Sequence, residues 1–220
     1  MSGRLIVIDG LDGSGKQTQT QLLYERLQKE GVAVRKVSFP DYEQPSSALV
    51  KEYLAGRYGK ANDVCAYAAS SFYAVDRYAS YQCFWKADYL SGHTILADRY
   101  TTSNLVHQLS KLPSGQWKEF IDWLEDYEYH KLGLPRPDLV LYLDVEPEVS
   151  RKLLERRYRG DEKKKDIHEA DLEYQMRCRG CALTLAGQQG WRLVQCSSGQ
   201  RMRGIEEIAE EIYQVVRPEK

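Results

Sequence analysis

Apolar residues along this chain come either in short unbroken runs or in longer stretches at helical spacing, and the two kinds alternate. Leu5-Ile6-Val7-Ile8 runs straight into a glycine-rich turn and predicts a strand covered on both faces. A helix is expected from about Lys16, with Leu22, Leu23 and Leu27 on one side and Gly31 as its stop. Residues 32–39 predict a second strand, ended by Pro40. Residues 63–90 predict a long helical stretch closed by Ser91-Gly92, and 94–97 a third strand that delivers Asp98 at its end. Ser114 is read as the N-cap of a helix through Trp117, Ile121 and Leu124 to Leu132-Gly133.

Pro137-Asp138 then introduces a fourth strand over 139–143, and Pro147 suits the first turn of a helix reaching about Tyr158. The charged stretch 159–167 reads as an exposed loop. A helix over about 169–186, a strand over 192–196 and an amphipathic helix over 205–216 complete the chain. Parallel strands need crossover connections, so this alternation predicts a five-stranded parallel sheet with helices on both faces, a three-layer α/β/α sandwich. With no repeat and no low-complexity linker, residues 1–220 read as one domain.

Composition narrows the partners. The 31 basic and 32 acidic residues nearly cancel, which argues against nucleic-acid and polybasic membrane binding. A small anionic substrate remains open, because it needs only a local positive pocket. The run at Leu5 is too short for a signal-peptide core or a membrane span, so a cytoplasmic location is expected. Five cysteines without a secretion signal suggest reduced thiols. Cys178-Arg-Gly-Cys181 matches CxxC, but no second ligand pair lies nearby and the segment is helical in pattern, so buried thiols are expected.

The strongest chemical signal is Gly10-Leu11-Asp12-Gly13-Ser14-Gly15-Lys16, which satisfies the phosphate-loop pattern between a strand and a helix. Glycines let backbone N–H groups turn inward around phosphate oxygens, and Lys16 adds a full positive charge. The pattern asks next for a Ser or Thr hydroxyl to hold Mg²⁺; here Gln17 stands there and Thr18 follows. Either Thr18 substitutes, or phosphates, water and Asp98 hold the metal.

Ligands of an open parallel sheet bind beyond the carboxyl ends of its strands. Asp9, Asp12, Asp98 and Arg99 are therefore expected in one crevice, with Arg99 suited to grip a phosphate through two hydrogen bonds. Between two helices, the stretch holding Arg156, Arg157 and Arg159 is a candidate lid over about 156–169. Arginines brought over a transferring phosphoryl group would stabilise its spread charge.

Taken together, these segments resemble the thymidylate kinase family over nearly the whole chain. The matching parts are the phosphate loop, Phe39-Pro40-Asp41-Tyr42, Tyr73-Ala74-Val75-Asp76-Arg77 and Asp98-Arg99-Tyr100-Thr101-Thr102-Ser103-Asn104. Pro137-Asp138, Leu143-Asp144 and a basic lid ending Asp166-Ile167-His168-Glu169 complete the series. The resemblance implies ATP as donor with Mg²⁺, dTMP as acceptor, and a homodimer through residues 63–90.

By the same resemblance, Asp12 accepts from the sugar 3′-OH and Tyr73, or its neighbour Phe72, stacks on the base. Arg77, Asn104 and Gln108 approach the base, while Tyr42 and Arg99 approach the acceptor phosphate. Asp98 lies near Mg²⁺, and the small Gly13 shifts the catalytic arginine to the lid. His107 stands where several members carry a tyrosine that crowds a ribose 2′-OH, and Asp41 where some carry an arginine. The expected reaction is transfer of the γ-phosphoryl of ATP to dTMP. Phosphorylation of another acceptor and nucleotide binding without catalysis are the alternatives.

Overall fold

Five parallel strands form the centre of the protein in a computed structural model that describes residues 2–158, 172–199 and 201–217. They are β1 (Leu5–Gly10), β2 (Val34–Ser38), β3 (Thr94–Asp98), β4 (Leu139–Asp144) and β5 (Arg192–Gln195). Their order is β2-β3-β1-β4-β5, and every pairing is parallel. The central strand β1 is buried along its whole length. Its side chains alternate between two cores, as the pleat demands. Leu5 and Val7 pack with Trp85, Tyr100, Leu105 and Leu185 on one face, and Ile6 and Ile8 with Leu23, Leu27, Ile208 and Ile212 on the other.

The first of these faces carries α3 (Ala66–Ser80), α5 (Thr101–Leu109), α6 (Trp117–Glu125) and α8 (Leu172–Gln189). The second carries α1 (Lys16–Lys29) and α9 (Ile205–Val216). Helix α2 (Ala48–Leu54), the short α4 (Lys86–Leu90) and α7 (Pro147–Tyr158) complete the helices. This is the α/β arrangement of a P-loop nucleoside-triphosphate fold, and the predicted sheet and layers are observed.

Several details differ from the sequence reading. Helices α2 and α5 and a small antiparallel pair, β6 (Ser197–Ser198) with β7 (Arg201–Met202), were not expected. The stretch 63–90 starts later, at Ala66, and is interrupted by a π-helical turn at Tyr81–Trp85. A second π turn, Asp126–Lys131, continues α6. Ser114 does not cap α6: it lies inside a 3₁₀ turn, Ser114–Gln116, and α6 starts only at Trp117.

All five cysteines are free thiols, with Cys178 and Cys181 buried on α8. Burial pushes Cys178 up to about 12 and Cys181 up to about 11, the opposite of a reactive thiolate. No helix among the described residues is long and apolar enough to cross a membrane.

Candidate active site

The carboxyl ends of β1 and β3 lie side by side, with Ile8 opposite Asp98 in register. That single pairing brings the phosphate loop and the Asp98-Arg99 turn together. Gly10 ends β1 where a Cβ would lie 2.8 Å from the Leu143 carbonyl oxygen, so only glycine fits. Gly13 and Gly15 take positive φ values of 78° and 87°, which turn the loop into the N-terminus of α1. The Lys16 ammonium folds back and donates to the Leu11 carbonyl at 2.9 Å. Burial and the neighbouring Arg99 lower its pKa, while Asp12, Asp98 and Asp9 oppose that shift. Gln17 and Thr18 are both exposed on the first turn of α1.

Arg99 follows β3 with φ of 66°, a left-handed backbone uncommon for a side chain of its size. Its guanidinium pairs with Asp12, lies 3.7 Å from Asp9 and donates to Ser103 Oγ at 3.2 Å. Burial alone would lower the Arg99 pKa, but Asp12, Asp9 and Asp98 together hold it well above the ordinary value. Asp9 is itself fixed by the hydroxyls of Thr102 and Ser103 and by the Gly10 amide. Asp98 is half-buried; its backbone carbonyl accepts from the Phe39 amide at 3.0 Å, while its carboxylate accepts no hydrogen bond from a described residue. Its pKa is raised by burial, against the pull of Lys16 and Arg99.

Beside Arg99 lies a cavity lined from five parts of the chain. Asp12 comes from the phosphate loop, Phe39, Pro40 and Tyr42 from the segment after β2, and Leu54 from α2. Tyr73 and Arg77 come from α3, and Ser103, Asn104, His107 and Gln108 from α5 with Tyr100 just before it. The alternative stacking ring, Phe72, does not line this cavity. One helical step rotates it by about 100°, and it packs instead on Tyr53 and Tyr58. Gln108 is fully buried, and its enclosed amide nitrogen and oxygen have no partner among the described residues. Enclosed polar groups of that kind mark a place for water or for a ligand's polar edge.

His107 is wedged rather than loose. Its Nε2 lies 3.5 Å from Arg99 Nη1, and its ring stacks on Tyr174 of α8 at 5.9 Å. The Tyr174 hydroxyl donates to the His107 carbonyl at 3.1 Å. Among the described residues no hydrogen bond or ion pair joins Asp41 to Arg99; its backbone amide donates to the buried Asp76, which also accepts from Ser46 Oγ. Arg156 and Arg157 fall on the last turn of α7, where only the backbone is described. Arg159 and the rest of the expected lid lie outside the described residues.

Sequence reading gave no role to Ser103, Asp76 or Glu128, though all three order the site. Ser103 bridges Asp9 and Arg99. Glu128 is buried against Arg77 and Asn104. Its signal was present: an acidic residue four positions after Leu124, on the apolar face of the predicted helix, needs a buried partner.

A phosphate loop, a neighbouring strand ending in Asp-Arg and a polar cavity beside that arginine define a P-loop phosphotransferase site. A family model described as thymidylate kinase matches residues 8–212. The chain is 31% identical over 191 residues to a thymidylate kinase of Mycobacterium tuberculosis, covering 85% of this chain and 87% of the relative. It is 32% identical over 157 residues to one of Caenorhabditis elegans, covering 67% and 66%. The solved thymidylate kinase of Candida albicans superimposes with a TM-score of 0.70 at 25% identity, over 98% of this chain and 91% of that one. This chain belongs to the thymidylate kinase family.

Proposed function

We propose that the protein transfers the γ-phosphoryl group of ATP to dTMP, giving ADP and dTDP, with residues 1–220 acting as one kinase domain. The observation that carries this reading is the position of Arg99, shared between the phosphate loop and the cavity. A donor cradle and an acceptor pocket then meet at one guanidinium. The loop amides of residues 10–18 and Lys16 hold the donor phosphates. Arg99, with Tyr42 at the cavity mouth, holds the acceptor phosphate, which is already a nucleophile and needs no general base.

Within the cavity, Asp12 accepts from the sugar hydroxyl and Tyr73 stacks on the base. Arg77, Asn104 and Gln108 supply the polar wall. His107, clamped by Tyr174, is a rigid ring placed to exclude a 2′-hydroxyl. Arg156, Arg157 and Arg159 of the lid supply the remaining positive charge.

Mg²⁺ fits this site as a partner of the nucleotide. Among the described residues no cluster of three His, Cys, Asp or Glu groups could hold a metal alone. A small hard cation of this kind is usually held by one or two carboxylates plus substrate phosphates and water. Asp98 is the carboxylate left uncommitted there, with Thr18 on α1 as a second oxygen. When bound with ATP, Mg²⁺ would neutralise charge on the phosphate oxygens. Residues 63–90 expose Val75, Tyr78, Phe84 and Leu90, which supports a homodimer through that stretch. A cytoplasmic location is in keeping with an enzyme acting on these soluble nucleotides.

The test is ADP release with MgATP against dTMP, dUMP, dCMP, UMP, CMP, AMP, GMP and thymidine. The expected result is fastest turnover with dTMP and weak turnover with UMP. Activity with thymidine alone would replace the reading by nucleoside phosphorylation, and silence throughout would leave only nucleotide binding.

Asp98→Asn separates stability from function at the same site. Because the folded pKa of Asp98 is raised, the native state holds its proton more tightly than the unfolded chain. Stability from this group therefore falls as pH rises through the folded pKa, and its charge is destabilising at neutral pH. Asp98→Asn is expected to keep or raise Tm while lowering kcat by about 10²-fold, the scale for one electrostatic group. A variant with a lowered Tm and full activity would contradict both halves.

A further inference from the structure

The wall of the cavity is built on a residue that does not line it. Glu128 sits on the π turn after α6 and is completely buried. One carboxylate oxygen accepts from Arg77 Nε at 2.7 Å, and the other from Arg77 Nη2 at 2.9 Å and from Asn104 Nδ2 at 3.1 Å. Asn104 Nδ2 also donates to the Ser70 carbonyl at 3.3 Å. Both hydrogens of that amide nitrogen are therefore committed, which fixes the flip of the Asn104 side chain. Its Oδ1 has no partner among the described residues and is not enclosed, and Asn104 lines the cavity. Arg77 likewise spends Nε and Nη2 on Glu128 and lines the cavity, its Nη1 without a partner among the described residues.

An acceptor beside a donor is thus presented to whatever base enters. A 4-keto pyrimidine carries the matching pair, an N3–H donor beside an O4 acceptor. A 4-amino pyrimidine carries the reverse, an N3 acceptor beside an N4–H donor, and meets like groups at both positions. Mismatched buried hydrogen-bonding groups are what reject a near-isosteric substrate most strongly.

We propose that Glu128 is the positioning residue that sets this polarity, and through it the choice of a 4-keto over a 4-amino pyrimidine monophosphate. The inference rests on the reading that the cavity takes a pyrimidine nucleotide. Glu128 acts only through Arg77 and Asn104 and touches no substrate. A glutamine in its place offers one acceptor oxygen where three donors now converge, and its own amide must face one of them.

The experiment compares wild type, Glu128→Gln and Glu128→Asp with dTMP, dUMP and dCMP, measuring kcat and KM for each and calorimetric binding of the same nucleotides. Glu128→Asp keeps the charge and so protects the fold, but is one methylene too short to reach both partners. The expected result is at least a tenfold fall in the preference for dTMP over dCMP, carried mainly by KM. Preference for dTMP over dUMP, which share the 4-keto edge, and KM for MgATP should stay within about twofold. In an Asn104→Ala background the added Glu128→Gln change should shift the dTMP to dCMP ratio far less.

A folded variant that keeps the wild-type ratio would overturn the proposal alone. So would an equal loss of both preferences, which means general loosening, or loss of fold in both variants, which would assign Glu128 to stability. A wild-type protein that binds dTMP and dCMP equally would overturn this proposal together with the functional reading beneath it.

Discussion

Arg99→Ala should lower kcat/KM for dTMP by about 10³-fold or more, the range over which a phosphate-directed arginine contributes to phosphoryl transfer. Three features make the loss that large. The guanidinium is the cation shared by the phosphate loop and the acceptor cavity, so its removal leaves Lys16 among Asp9, Asp12 and Asp98. Those carboxylates would then repel an incoming acceptor phosphate. The side chain is also prepositioned by Asp12, Asp9 and Ser103, so its charge is in place before the substrate arrives. Arg99→Lys should recover little, because an ammonium cannot replace a planar fork that donates to two oxygens at once. Steady-state kinetics with dTMP, beside ADP binding as a check on the donor site, decides the matter. An alanine variant retaining a tenth of wild-type activity would remove Arg99 from the acceptor site.

Lys16→Met is expected to reduce kcat by about 10²–10³-fold, the usual loss when one preorganised donor to developing charge is deleted. Methionine keeps nearly the volume and the flexible stem, so the buried loop should still close. The lysine is only 8% exposed and bonds to the Leu11 carbonyl, which aims its ammonium inside the loop. Burial works against its charge, and Asp12, Asp98 and Asp9 hold that charge in place. A bound phosphate would add to the same side of the balance. Single-turnover measurement with saturating MgATP and dTMP separates the chemical step from ATP affinity. A variant impaired only in the KM for ATP would mean that Lys16 binds ground state and transition state alike.

Much of the architecture was legible because apolar runs and turn residues agree along most of the chain. The strands were found where Leu5–Ile8, 95–97 and 139–143 make unbroken apolar runs, and α9 where its apolar stripe is regular. The miss at α5 has a physical reason. Its buried side mixes Leu105, Val106 and Leu109 with Thr101, Thr102, Asn104 and Gln108, polar groups that order the site or line the cavity. Hydrophobic periodicity is weakened on a helix whose buried face is partly polar. Helix α2 is too short to develop a stripe, and the π turns change the period on which such readings rest.

The site shows the same division. The phosphate loop and Asp98-Arg99 are contiguous strings, so sequence order alone reveals them. Glu128 lies 51 residues from Arg77 and 24 from Asn104, and only folding shows that the three form one unit. The choice between Phe72 and Tyr73 likewise depends on a helix face that spacing did not settle.

The register of β1 on β3 has a further meaning. Adjacent strands in any sheet stand about 4.8 Å apart, held by backbone hydrogen bonds that do not depend on side-chain identity. The phosphate loop grows from one of these strands and Arg99 from the other. On the proposed assignment, the span between giving and receiving oxygens is anchored to a dimension of the peptide ladder itself. Side chains around it can drift and change what is recognised, while the gauge on which the transfer is built stays the same.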